Sequence, residues 1–193
     1  MKGVKNLILS IGVNKVLEEK YDKKKIQAIM GHAYKVALYS IMIAKHRKLR
    51  KFHDDIYVIA LLHDFGKIII ETLQPEMVKR IQAICNKRGI VISVLEDLTD
   101  GYNHSIIGFQ LAEKWNFPEQ FVHGIKYHHI PMKAKDIHKG IVFSVYLANE
   151  MYHYIEGTRA FSEITYKVLK FFNLRKEKDF KEFADSITKK LSS

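Results

Sequence analysis

The sequence is 193 residues long, is 47% hydrophobic and carries a formal net charge of +11 at pH 7. A chain of this length and composition can bury one sizeable core, which excludes a disordered or linker-rich protein. Its single cysteine, Cys85, excludes a disulfide framework and a cysteine-based zinc cluster, and it fits a reducing compartment.

The distribution of apolar and basic residues bears on location and partners. No stretch approaches the roughly 20 apolar residues that a membrane-spanning helix needs, and the apolar run after Met1 continues into charged residues without a cleavage-type site. We therefore predict a cytoplasmic protein that does not contact a membrane. The lysines are scattered rather than gathered in one arginine-rich arm, and no groove-reading motif accompanies them, so we do not expect a nucleic-acid partner.

The hydrophobic pattern of the first half of the chain is helical. It predicts amphipathic helices over residues 4–19 and 24–46. A third helix is predicted from a cap at Asp54 or Asp55 through His63, with Gly66 helping to end it. A fourth is predicted over residues 75–88, with Pro75 near its first turn.

The second half continues in the same way. A short helix over 93–98 and a turn over 99–102 precede Asn103, which caps a helix that runs through Trp115. Pro118 opens the next helix, which ends near His128 and His129. Further helices are predicted over 136–154, over 161–172 and from Lys176 onward, and only the short run 90–92 favours a strand. We predict an all-α helical bundle, with a main domain over residues 1–155 and a C-terminal helical extension over 156–193 that packs on it.

Five of the predicted helices each bring a polar side chain to an apolar face. Burying several such groups without partners would cost a few kcal/mol each, and a divalent-metal site would satisfy them together. Imidazole suits zinc, iron, manganese or nickel, and a bridging aspartate suits a pair of ions. The polar residues concerned are His32, His63 with Asp64, His104, the pair His128 and His129, and Asn149. The remaining histidines lie beside charged or loop residues and are predicted to be solvated at the surface; they are His46, His53, His123, His138 and His153.

The stretch His63-Asp-Phe-Gly-Lys67 resembles the His-Asp-x-Gly-Lys signature of the HD superfamily of metal-dependent phosphohydrolases. The resemblance spans about residues 4–155 and implies a helical bundle of the HD-domain type. It implies that Asp64 bridges two metals or orients the attacking water, and that Lys67 neutralises charge on a phosphoryl group. The residues that match ligand positions, for one or two divalent ions, are His32, His63, Asp64, His104, and His128 or His129.

Within this superfamily the chain is similar to HDOD domains. The segment from His104 to Pro118 matches their His-x-x-x-Gly-x-x-Leu-x-x-x-Trp-x-x-Pro stretch. The segment 7–16 is similar to the helix that joins the two halves of an HDOD domain, which implies that an N-terminal helical half would have preceded Met1. HDOD domains are known as bacterial signalling modules, many of them without demonstrated catalysis.

Three features of the sequence bear on how the resemblance applies. Asn149 stands where the superfamily has a late aspartate, and its amide oxygen can ligate a metal but adds no charge. His32 is present where HDOD domains often lack a histidine, which favours a working metal site. The Gly-Tyr-Pro segment of the cyclic-di-GMP phosphodiesterase branch is absent after His129, so we do not expect a hydrolase of that kind.

Two functions follow from the residues and the resemblance. The favoured one is a binding or regulatory module in signal transduction that carries a histidine/aspartate metal site. The alternative is a metal-dependent phosphohydrolase acting on a phosphomonoester, a phosphodiester or a nucleotide. The expected partner is accordingly a phosphorylated small molecule, a nucleotide or a signalling protein, and a homodimer is left open.

Overall fold

The computed structural model describes residues 23–73, 75–88 and 103–192. Within these ranges it contains nine α-helices, four short 3-10 helices and no strand, which confirms the all-α prediction. The α-helices are α1 (Lys23–His46), α2 (His53–Leu62), α3 (Phe65–Leu73), α4 (Pro75–Arg88), α5 (His104–Lys114), α6 (Glu119–Tyr127), α7 (Lys139–Ile155), α8 (Tyr166–Phe171) and α9 (Glu177–Ser192). The 3-10 helices are Arg50–Phe52, Pro131–Lys133, Asp136–His138 and Phe161–Glu163. The elements predicted over 4–19 and 90–102 lie outside the described residues.

Helix α1 packs along α2 and α7, and this trio forms the centre of the bundle. Apolar residues spaced three and four apart on each helix face the others, so that they become fully or almost fully buried. They include Val36, Ala37 and Ile43 on α1, Ile56 and Ile59 on α2, and Val145, Leu147 and Met151 on α7. None of the described helices combines the length and the apolar character needed to cross a membrane.

The residues after 155 contribute to this same core. Val168, Phe172, Phe180, Ala184 and Ile187 belong to one hydrophobic cluster with the buried residues of α1, α2 and α7. On α9 the buried positions recur at three- and four-residue intervals, as the amphipathic pattern after Lys176 predicts. The proposed division of the chain at residue 155 stays a prediction.

The predicted helix over 161–172 is wrong in one respect, because it is broken at its middle. Ile164 is extended, with ψ of 134°, and separates the 3-10 helix Phe161–Glu163 from α8. The Tyr146 hydroxyl accepts a hydrogen bond from the backbone N–H of Thr165 and lies 2.9 Å from the Thr165 hydroxyl. Because Ile164 is buried and Thr165 contacts α7, the chain forms two short helices here instead of one continuous helix.

Gly66 does not end a helix, as the sequence suggested, but lies in the first turn of α3. A Cβ atom on Gly66 would come within 2.0 Å of the carbonyl oxygen of His104. The residue is therefore needed for the close approach of α3 to α5. The cap expected at Asp54 or Asp55 also differs, because α2 begins at His53 and both aspartates lie in its first turn. There their negative charges stabilise the helix by interacting with the positive end of its dipole.

The boundaries of α5 and α6 agree with the prediction. The Asn103 side chain accepts hydrogen bonds from the backbone N–H groups of Ser105 and Ile106, at 2.9 and 3.2 Å. Pro118 directly precedes α6, which ends at Tyr127. These caps place His104 at the start of one helix and His128 just after the end of the next.

Candidate metal centre

Helix ends bring the polar side chains of the bundle together. His63 and Asp64 form the two-residue connection between α2 and α3, His104 is the first residue of α5, and His128 and His129 directly follow α6. His32 comes from the middle of α1. The close packing of α3 on α5 at Gly66 places the His63-Asp64 connection beside His104.

Asp64 lies at the centre of this group and is only 2% exposed. Its two carboxylate oxygens face different histidines. Oδ2 lies 3.4 Å from His32 Nε2 and 3.3 Å from His63 Nε2. Oδ1 lies 3.2 Å from His104 Nε2 and 3.6 Å from His128 Nε2. The carboxylate thus stands between two pairs of imidazoles.

His129 joins the pair on the Oδ1 side. Its Nε2 lies 3.1 Å from His104 Nε2, which in turn lies 3.2 Å from His128 Nε2. Two sets of side chains can therefore offer converging ligand atoms, all within 4.8 Å of one another in each set, and Asp64 is common to both. One set is Asp64, His104, His128 and His129, and the other is His32, His63 and Asp64.

Backbone carbonyls orient two of the rings. His63 Nδ1 lies 2.7 Å from the carbonyl oxygen of Ala60, and His128 Nδ1 lies 2.7 Å from that of Ile125. Because a carbonyl oxygen can only accept, each Nδ1 carries a proton, and in the neutral ring each Nε2 then presents a lone pair toward Asp64. This is the arrangement in which histidine ligates a metal, with the second ring nitrogen held by a backbone acceptor.

Two buried atoms of the group are not satisfied by the part of the chain that the structure describes. His63 Nε2 and Asp64 Oδ1 make no hydrogen bond of standard geometry. A buried lone pair left without a partner is costly, and divalent cations bound on the two sides of Asp64 would satisfy both atoms. The donor set of imidazoles and one carboxylate therefore fits a metal.

Burial also sets the protonation states. It lowers the pKa of His32 and of His128 to about 3, and it holds the pKa of His129 well below its usual value. For Asp64, burial alone would raise the pKa, but the neighbouring His63, Lys67, His104 and His128 together outweigh it, so that the pKa lies well below its ordinary value. Neutral imidazoles and an ionised carboxylate are the forms that bind metals.

Lys67 lies at the edge of the site. Its ammonium donates to Asp64 Oδ2 at 2.8 Å, and 29% of its side chain remains exposed. It is one turn beyond Asp64, on the first turn of α3. A charge in this position can reach an anion that enters from solvent.

Asn149 is buried on α7, at 2% exposure. It lies one turn before Tyr152 and His153, whose rings stand 4.4 and 5.5 Å from the ring of His32. Because residues three and four apart share a helix face, Asn149 lies on the side of α7 that faces the candidate metal centre.

The prediction that five histidines are solvated at the surface is wrong for His123 and His138, which are only 9% and 8% exposed. His46 is exposed as expected, while His53 and His153 are half-buried. Neighbouring charged residues in the sequence do not indicate which face of a helix a side chain occupies. The sequence did indicate that His153 is partly buried, because it lies four residues after Asn149 and therefore on the same face of the helix.

Comparisons with known proteins identify relatives of this chain. A family model described as the HDOD domain matches residues 1–131. An uncharacterized protein of Treponema pallidum (strain Nichols) is 27% identical over 187 residues, a match that covers 97% of this chain and 36% of that protein. The chain therefore spans only about a third of the length of this curated relative.

Two solved structures are similar in fold. One is an HDOD domain protein of unknown function from Geobacter sulfurreducens, with a TM-score of 0.69, 20% identity, and coverage of 85% of this chain and 59% of that one. The other, from Shewanella amazonensis SB2B, is named as an inferred phosphohydrolase; its TM-score is 0.64, its identity 19%, and the match covers 89% of this chain and 61% of that one. At these identities the likeness shows the fold alone.

Proposed function

The chain belongs to the HDOD domain family, and on that premise we propose that it is a signalling module built around a divalent-metal centre that binds a phosphorylated ligand. One observation carries the proposal: the two oxygens of Asp64 each face a separate pair of imidazole nitrogens, at 3.2 to 3.6 Å. A carboxylate placed in this way is suited to bridging two cations.

The candidate ligands divide into two groups. His32 and His63 would hold one ion, and His104, His128 and His129 the other, with Asp64 shared between them. Imidazole with a carboxylate suits zinc, iron, manganese or nickel. The backbone contacts of His63 and His128 support this assignment, because they fix the ring nitrogens that would bind.

The charge of the centre favours an anionic ligand. Asp64 is the single carboxylate in the two ligand groups, and Asn149 supplies no charge where the superfamily has an aspartate. Divalent ions held mainly by neutral imidazoles retain most of their positive charge, and Lys67 adds one more. A phosphoryl group of a nucleotide or another small phosphorylated molecule is therefore the class of ligand that fits.

Hydrolysis of that ligand is the second candidate function, and the presence of His32, with its Nε2 3.4 Å from Asp64 Oδ2, favours it. A bound metal pair supplies Lewis acidity and a water of lowered pKa. Asp64 would hold the attacking water in position, and Lys67 would neutralise charge that develops on the phosphoryl oxygens. Both side chains already contact one another in the structure.

The first experiment is elemental analysis of the purified protein. Asp64→Ala should contain about two equivalents of divalent metal fewer than the wild type, because both ligand groups lose their common member. His46→Ala serves as the matched control, since it removes an exposed histidine outside both groups. Equal metal content in wild type and Asp64→Ala would refute the metal centre.

The second experiment separates the two functions. Wild type, Asp64→Ala and Lys67→Gln are supplied with the same metal and compared for phosphate binding. Their turnover of bis-p-nitrophenyl phosphate and of a nucleotide panel is compared as well. Lys67→Gln should retain its metal and bind phosphate about tenfold more weakly. Turnover that Asp64→Ala abolishes would establish a phosphohydrolase, whereas metal and phosphate binding without turnover would establish a binding module.

A further inference from the structure

A second group of metal-type side chains lies outside the Asp64 centre, where α6 meets the turn before α7. Glu119 and His123 are one turn apart on α6, so both lie on one face of the helix. His138 ends the 3-10 helix Asp136–His138. Glu119 Oε2 lies 3.3 Å from His138 Nε2, and Glu119 Oε1 lies 3.7 Å from His123 Nε2.

From this geometry we propose that Glu119, His123 and His138 form a separate site for one divalent transition-metal ion of the zinc type. The three residues share no member with the Asp64 centre, and a ligand atom from each lies within 4.8 Å of the others. The two histidine rings are tilted by 49° to one another, with centroids 4.8 Å apart.

The burial of the histidines supports the site. His138 and His123 are only 8% and 9% exposed, although charged residues lie close to His138 in the sequence. His138 Nε2 is buried and makes no hydrogen bond within the described residues, although it is directed at the Glu119 carboxylate. A buried nitrogen that lacks a hydrogen bond and points toward a carboxylate is placed to bind a metal ion together with that carboxylate.

The donor set indicates the class of ion. Two imidazoles and one carboxylate form the three-ligand set of zinc sites that keep a fourth position open. Such a set prefers zinc, cobalt, nickel or copper to magnesium or calcium, which require mostly oxygen ligands. The Glu119 side chain is 54% exposed, so the open position would face solvent.

Lys135 is the competitor for this site. Its ammonium contacts Glu119 Oε1, but 63% of the lysine side chain is exposed, so the contact is weak and reversible. A metal ion on Glu119 and the Lys135 ammonium repel one another. Removal of the lysine charge should therefore strengthen metal binding, which is the reverse of the effect expected for an ion pair that merely stabilises the surface.

An ion bound here would connect α6 to the segment that leads into α7. Helix α6 ends at Tyr127, directly before His128 and His129. The second site would thus restrain the segment that supplies two ligands to the Asp64 centre.

The test is a zinc titration of the full chain against a chromogenic chelator. Asp64→Ala/His104→Ala serves as the parent, because it removes the carboxylate common to both groups of the other centre. The parent should bind about one equivalent of zinc at the second site. Glu119→Gln or His138→Gln added to it should weaken binding at least about tenfold, Lys135→Gln should strengthen it, and His46→Gln should leave it unchanged.

The same variants are also made in the otherwise unchanged protein, so that the test does not depend on how the parent folds. There, Glu119→Gln and His138→Gln should each lower the zinc content by about one equivalent. The exposed position of Glu119 makes its substitution compatible with the fold. If zinc binds these variants as tightly as the protein from which each was made, or if Lys135→Gln weakens binding, the second site does not exist.

Discussion

Individual side chains in the candidate metal centre are oriented by their own helices. The rings of His63 and His128 turn back toward the carbonyl oxygens of Ala60 and Ile125, each three residues earlier. This contact fixes which nitrogen carries the proton and leaves the other directed at Asp64. Helical periodicity predicts that such a ring faces inward, but the choice of nitrogen depends on an atom-level contact.

Gly66 provides a prediction at this scale. Gly66→Ala should lower the free energy of unfolding by at least about 2 kcal/mol, because its Cβ would lie 2.0 Å from the backbone oxygen of His104. The displaced helix would also move His104 away from Asp64, so that metal content should fall. Urea denaturation and elemental analysis measure the two effects.

Gly31→Ala is the matched control, since a Cβ at Gly31 meets nothing within 4 Å. This exposed position within α1 should gain about 0.5–1 kcal/mol from the higher helix propensity of alanine. Equal stabilities of the two variants would contradict the close-contact role of Gly66.

At the scale of the elements, the site depends on where helices start and stop. Asn103 and Pro118 mark the starts of α5 and α6, and both signals are legible in the sequence because capping is local. The interruption at Ile164 is different. It results from the contact between Thr165 and Tyr146, which are 19 residues apart and belong to different elements.

Tyr146→Phe tests this explanation. The change removes the acceptor of the Thr165 N–H and should destabilise the protein by about 1–2 kcal/mol. Faster amide hydrogen exchange should be confined to the segment around Thr165. Tyr166→Phe, at a position that is 59% exposed, should have little effect; comparable losses from both variants would mean that the hydroxyl contact does not set the break.

At the scale of the whole molecule, a buried ion pair joins α7 to the segment after it. Glu150 is 3% exposed, and its Oε2 lies 2.9 Å from Arg159 Nε. Arg159 also approaches Glu163, at 3.6 Å. Burial raises the pKa of Glu150 to about 7, because the favourable effect of Arg159 is smaller and Glu163 adds to the rise.

This pKa predicts how stability depends on pH. Between its usual value of 4.5 and about 7, the Glu150 carboxyl retains a proton in the folded state that the unfolded chain has already released. The contribution of Glu150 to the free energy of unfolding therefore decreases as pH rises through this window. Relative to Glu150→Gln, the wild type should lose about 2 kcal/mol of unfolding free energy between pH 5 and pH 8.

Urea denaturation of the metal-free proteins at several pH values measures this difference, and effects of the buried histidines cancel between wild type and variant. Glu182→Gln, at a side chain that is 67% exposed, should give a curve parallel to that of the wild type. A parallel curve for Glu150→Gln as well would show that the carboxyl does not titrate in this range.

The sequence by itself determined the all-α class, the bounds of α1 and α4 to α6, and the inward direction of His63, Asp64, His104 and His128. Those features depend on periodicity, caps and motif spacing, which are properties of neighbouring residues. Tertiary structure decided that Asp64 faces two separate groups of histidines, that Gly66 is a contact point rather than a helix end, and that His123 and His138 are buried beside Glu119. These depend on distances between helices that are remote in the chain, and such distances are set by packing of the whole core.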